Sequence, residues 1–116
     1  MELIALLSKG DGTWAQVSGL LKYGEWDKVI VLGDESGKSF TSEKPFEFIK
    51  IDLSKKLKDL KEEFLQKLSG KIEGTEVALS IASGDGKEHM ALISAILNLP
   101  AGVRFAALTK DGVIDL

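Results

Sequence analysis

Three short, almost unbroken apolar runs dominate the first eighty-odd residues: ELIALLS at 2–8, KVIVL at 28–32 and VALSIA at 77–82. Runs this short and this apolar suit strands buried on both faces, which occur in parallel sheets covered by helices. Between them lie stretches with helical spacing: Trp14, Val17, Leu20 and Leu21, closed by Gly24, and later Leu57, Leu60, Phe64 and Leu68. A strand, a helix and a second strand return to one sheet as parallel neighbours through a right-handed crossover. The chain is thereby confined to the alternating α/β class.

The pattern predicts β1 at Glu2–Ser8, then a helix α1 opened by a Thr13/Gln16 capping box, then β2 at Lys28–Leu32. SGKSFTSEKP, Ser36–Pro45, has no periodicity and reads as a loop. β3 follows at Phe46–Ile51, a charged helix α2 opens at Ser54, and β4 spans Glu76–Ala82. Helix α3 is expected at Gly86–Leu99, β5 at Val103–Leu108, and an Asp111-Gly112 turn into β6 at Val113–Leu116. The expected fold is a three-layer, Rossmann-like open sheet of six strands in the order 3-2-1-4-5-6. It is mostly parallel, with β6 antiparallel and three helices. A chain of 116 residues makes this one domain, 1–116.

Composition narrows the functional classes. Hydrophobic residues at 44% and charged residues at 28% describe an ordinary globular chain. No apolar run approaches the roughly 20 residues of a membrane span. MELIALLS lacks a basic n-region and a cleavage site, so no signal peptide is expected and a cytoplasmic location fits. The absence of cysteine excludes disulfides and thiolate metal sites. A net charge of −3 argues against long nucleic acid as a partner. Fourteen lysines against one arginine, beside many glutamates, hint at a thermophilic source.

In such a sheet, ligands bind beyond the carboxyl ends of the strands where the winding reverses, here between β1 and β4. The loops leaving those strands are Ser8-Lys9-Gly10-Asp11-Gly12-Thr13 and Ser83-Gly84-Asp85-Gly86-Lys87. They are the most glycine-rich, polar turns of the chain, and each opens a helix N-terminus, which favours an anion. A cap alone would need only Asp85 with Glu88. A Walker A loop is absent, because Ile81 and Glu88 stand where it needs glycine and a hydroxyl residue. A nucleophile elbow around Ser83 is absent too, with Ile81 and Asp85 in its glycine positions. Gly10-x-Gly12-x-x-Ala15 does match the dinucleotide pattern, with Asp34 or Glu35 at the end of β2 as ribose acceptor. His89 has no histidine partner for a metal, so it reads as packing, and no metal or cofactor is expected. Trp14 and Trp26 read as packing beside α1, and Met90, Ile93 and Leu97 as a core stripe of α3.

Taken together, the two loops, the charged helix before β4 and the closing hairpin VRFAALTKDGVIDL resemble the CRISPR-associated Rossmann fold (CARF) domains. Those carry a polar loop after the first strand and a stretch of the form Asn/Asp-x-Thr-Gly-Gly-Thr-Lys-x-Met after the fourth. Here that stretch is SIASGDGKEHM. The resemblance implies a homodimer that binds cyclic oligoadenylate across its two-fold axis. Ser83, Gly84, Asp85, Gly86 and Lys87 would face the ligand from one loop, and Ser8, Gly10, Asp11, Gly12 and Thr13 from the other. It also implies slow, metal-independent ring cleavage as a possible activity, with Ser83 and Lys87 as candidate catalytic residues. No strong general base marks the sequence, so the residues support binding ahead of turnover. Two other readings stand beside it: a mono- or dinucleotide module built on GDGTWA, and an interaction domain whose glycines serve turns alone.

Overall fold

The computed structural model describes residues 1–9 and 12–116. Its elements are β1 (Glu2–Leu7), α1 (Thr13–Tyr23), β2 (Lys28–Gly33), a 3-10 turn (Glu35–Ser39), β3 (Glu47–Lys50), α2 (Leu57–Leu68), β4 (Glu76–Ser80), α3 (Gly86–Leu97), β5 (Gly102–Thr109) and β6 (Gly112–Asp115). One six-stranded sheet runs in the order 3-2-1-4-5-6, parallel except for the β5–β6 pair. The expected fold class is therefore observed, strand order included.

β1 lies at the centre, paired parallel with β2 on one side and β4 on the other. All six of its residues are buried, which is why its sequence shows no polar alternation. Its side chains divide the interior in two. Leu3, Ala5 and Leu7 join Val17, Leu20 and Leu21 of α1 on one face. Ile4 and Leu6 join Leu60, Phe64 and Leu68 of α2 and Leu92 and Ile96 of α3 on the other. The result is three layers with the glycine-rich loops at the carboxyl edge.

Five local expectations are corrected. Thr13 and Gln16 do not form a capping box; the N-cap is Gly12 at φ +80, and no side chain bonds from that position. The reason is competition: Thr13 gives its hydroxyl to Ser83, and the Gln16 amide donates to the Leu108 carbonyl. α2 opens at Leu57 rather than Ser54, because the Ser54 N–H and hydroxyl both turn back to the Asp52 carboxylate. Leu57 itself is 40% exposed and so does not belong to the buried stripe of that helix. The loop after β2 contains a 3-10 turn nucleated by Asp34, whose side chain accepts from the Ser36 N–H. Finally, Met90 is not core: it is 58% exposed and Leu97 70% exposed, since both lie on the side of α3 directed away from the sheet.

Candidate functional site at the carboxyl edge of β1 and β4

Parallel pairing of β1 with β4 brings their two exit loops to the same sheet edge, and Ser83 joins them. Its hydroxyl is wholly buried. It accepts from the Ser8 N–H at 2.8 Å, donates to the Ser8 carbonyl at 3.1 Å, and accepts from the Thr13 hydroxyl at 3.0 Å. The Trp14 indole N–H adds a 3.0 Å bond to the same Ser8 carbonyl. Ser8 is thus held through both of its backbone polar groups. The juxtaposition expected of Ser8, Thr13 and Ser83 is present, but Ser83 faces inward as a latch between the loops. Gly10 and Asp11 lie outside the described residues.

Gly84 follows at φ +109, where a Cβ would come within 2.6 Å of the Leu6 side chain and 3.0 Å of Glu88 and His89. Only glycine fits there. The His89 ring nitrogen Nε2 sits 2.8 Å from the Ser83 carbonyl, so the histidine props the loop as a packing group. Gly12 and Gly86 differ from Gly84, since among the described residues a Cβ at either would meet nothing within 4 Å.

The electrostatics of the two helix N-termini are unlike. At α3, Asp85 accepts from the Glu88 N–H at 2.8 Å and Glu88 accepts from the Asp85 N–H at 3.1 Å, a complete capping box. Two carboxylates already serve that end, so a further anion there meets like charge. α1 has glycine as its N-cap and no acidic residue in its first turn. A helix N-terminus without acidic groups of its own favours an anion more than one that carries them. Lys87 is turned to the side, its ammonium donating to the Leu53 carbonyl at 3.0 Å and the Lys55 carbonyl at 2.8 Å. It ties the start of α3 to the β3–α2 loop.

Asp34 stands where β2 ends beside β1, one residue beyond the Leu7–Gly33 pair, with Oδ1 engaged by Ser36. Glu35 is exposed and bridged by Lys50 at 2.7 Å and Lys38 at 3.2 Å. Those lysines, Lys50 first, hold its carboxyl below the usual carboxylate range. Of these two, Asp34 is the one at the β1–β2 boundary. Among the described residues no three histidine, cysteine or acidic side chains gather as a metal site. Two open clefts of about 520 and 550 Å³ lie away from the loops, one beside Glu2 and Glu73 and one between Lys22 and Ser42.

Sequence reasoning had no means to find the inward turn of Ser83. Ser80 was visible as a lone polar residue in an apolar strand, and it is the one buried side-chain polar atom without a hydrogen-bond partner among the described residues. Compared with known protein families and with curated proteins, the chain matches none.

Proposed function

We propose that the protein binds a nucleotide ligand at the sheet edge where the β1–α1 and β4–α3 loops meet, with a phosphate group at the N-terminus of α1. The observation that carries this reading is the contrast between the two helix ends: α3 is closed by its own carboxylates, while α1 has glycine as its N-cap and no acidic residue in its first turn. The latch through Ser83 supports it by presetting the two loops, which lowers the ordering cost of binding. In the leading form the ligand is cyclic oligoadenylate, read by two copies of the chain that present the same loops about one axis. Lys87 then contributes charge from beside the β4–α3 loop. A second form, a mono- or dinucleotide held by one copy through GDGTWA, is favoured by the position of Asp34 at the end of β2.

A thermal-shift panel tests both. A ligand at 100 times its dissociation constant adds about 2.7 kcal/mol of stability. Cyclic oligoadenylate is expected to protect the wild type and, less well, Lys87→Ala. Gly12→Asp supplies the α1 end with its own carboxylate and is expected to abolish protection. Protection by NAD or ATP instead, lost on Asp34→Ala, selects the second form. No protection by either ligand class leaves a domain whose glycines serve turns alone.

A further inference from the structure

The amino edge of the sheet is built unlike the carboxyl edge. Every helix joins two parallel strands and so runs back to the amino edge, where α1, α2 and α3 all end. Helix C-termini favour cations. Two adjoining clefts open at this edge and share Asp27 and Lys28. One, of about 520 Å³, has Glu2, Glu73 and Glu76 in its wall. The other, of about 440 Å³, is walled by Trp26, Val29, Pro45 and Phe46. Gly24, the C-cap of α1, and the side chains of Glu25 and Glu47 line it too.

Charge in the clefts is one-sided. Four carboxylates line the first and three the second, Asp27 being common to both, against Lys28 and Lys44. Both lysines are engaged by backbone carbonyls, Lys28 by that of Lys71 at 2.9 Å and Lys44 by that of Gly24 at 3.1 Å. Asp27, Glu47 and Glu76 are paired with the Met1 amino group, Lys71 and Arg104. Glu2, Glu25 and Glu73 have no cationic partner among the described residues. Glu2 is 5% exposed. Its Oε1 accepts from the Glu73 and Gly74 N–H groups at 3.0 and 2.8 Å, while Oε2 has only a longer contact with the Glu73 N–H, at 3.2 Å. That oxygen keeps acceptor capacity for a further donor. These carboxylates do not converge, since no three acidic side chains among the described residues gather as a metal site. Their charge is spread along an edge that has an aromatic wall at one end.

We infer that the two clefts bind a small linear polyamine, its ammonium groups paired with Glu2, Glu25 and Glu73 and its methylene chain laid along Trp26 and Phe46. Separated carboxylates match the separated charges of such a chain, which one metal ion cannot span. Apolar walls suit the methylene segments, as they suit a lysine stem, and the aromatic faces attract the neighbouring ammonium groups. Clefts of a few hundred Å³ belong to the size range of small-molecule sites. This site lies at the opposite edge of the sheet from the β1–α1 and β4–α3 loops, and it holds with or without a nucleotide there.

Isothermal titration with spermidine at physiological ionic strength is expected to give a dissociation constant of about 1 mM or tighter. Glu25→Gln with Glu73→Gln changes two exposed side chains and is expected to weaken binding about tenfold, with an unchanged far-UV spectrum. Asp59→Asn with Glu62→Gln removes the same charge from the exposed side of α2 and should leave the affinity unchanged. Mg²⁺ at matched ionic strength should not displace spermidine. In NMR spectra the Trp26 indole N–H signal should shift on titration, while that of Trp14, at the other edge, stays in place. Absence of binding at millimolar spermidine, an affinity indifferent to Glu25 and Glu73, loss of binding in the α2 variant, displacement by Mg²⁺, or a shift at Trp14 in place of Trp26 overturns the proposal. None of these results depends on the nucleotide panel.

Discussion

α2 and α3 have the same length, lie on the same face of the sheet and pack against each other, yet they are built differently. Inward they are alike: Leu60, Phe64 and Leu68 of one and Ala91, Leu92, Ala95 and Ile96 of the other are completely buried in one cluster. Outward, α2 is charged and α3 is apolar. At their starts the order reverses, since α2 begins at Lys56 with no side-chain cap and α3 begins with a full capping box. The inner faces answer to the sheet, which is the same for both. The outer faces and the starts answer to what each helix meets next, and there they diverge.

The largest effect is expected where the helices agree. Phe64→Ala removes a completely buried ring from the shared cluster and should cost about 3–5 kcal/mol; Leu92→Ala, its counterpart in α3, should cost about 2–5 kcal/mol. Denaturant unfolding checks both. A loss under 1 kcal/mol at either site would show that the inner faces are not equivalent after all.

Next comes the loop that leads into α3. Ser83→Ala leaves the buried Ser8 N–H without its acceptor, at about 1–3 kcal/mol. The loop leading into α2 has no such buried latch, and Ser54→Ala, which removes an exposed contact to Asp52, should change stability by less than about 0.5 kcal/mol. Equal losses would break the comparison at this level.

The starts of the helices give a pair of opposite sign. Asp85→Ala removes the α3 cap and should destabilise by about 1 kcal/mol. Lys56→Asp supplies α2 with a cap at extended backbone angles that suit one, and should stabilise by about 0.5–1 kcal/mol. Thermal melts at fixed protein concentration read both.

The inner faces of these helices, and with them the fold, were legible because burial on two sides writes itself as composition. Continuous apolar strands and three-to-four spacing leave few topologies, and the strand order followed from handedness. The site was legible as a place: parallel β1 and β4 had to bring their loops together. The direction of each side chain within it was not. Whether Ser83 turns inward or Lys87 turns to the Leu53 and Lys55 carbonyls depends on which partner lies within 3 Å, and those partners are 75 and 32–34 residues distant in sequence. The start of α1 was misread for the same reason, Thr13 preferring Ser83 to its own helix. Met90 was misread because spacing identifies an apolar stripe without saying which side of the helix the sheet covers.

The smallest expected effect is titration at the α2 approach. Asp52 lies at the surface, and its carboxyl is held below the usual range, first by the Ser54 hydroxyl, then by the Ser54 N–H, with smaller help from Lys55 and Lys50 and opposition from partial burial. A depressed folded-state value favours the native state fully above the unfolded value, near pH 3.9, and that contribution fades as pH falls through the lower, folded value. The window is therefore below about pH 4, and exposure keeps the effect modest, with added salt reducing the lysine part. In an NMR titration, Asp52 should titrate below an ordinary aspartate and move back toward it in Ser54→Ala. Lys55, raised mainly by its 2.7 Å bridge to Glu63, should keep its charge throughout. An Asp52 that titrates normally in the wild type would mean that the Asp52–Ser54 turn is not formed in solution. α2 would then be free to open closer to Ser54, as the spacing of its sequence suggests.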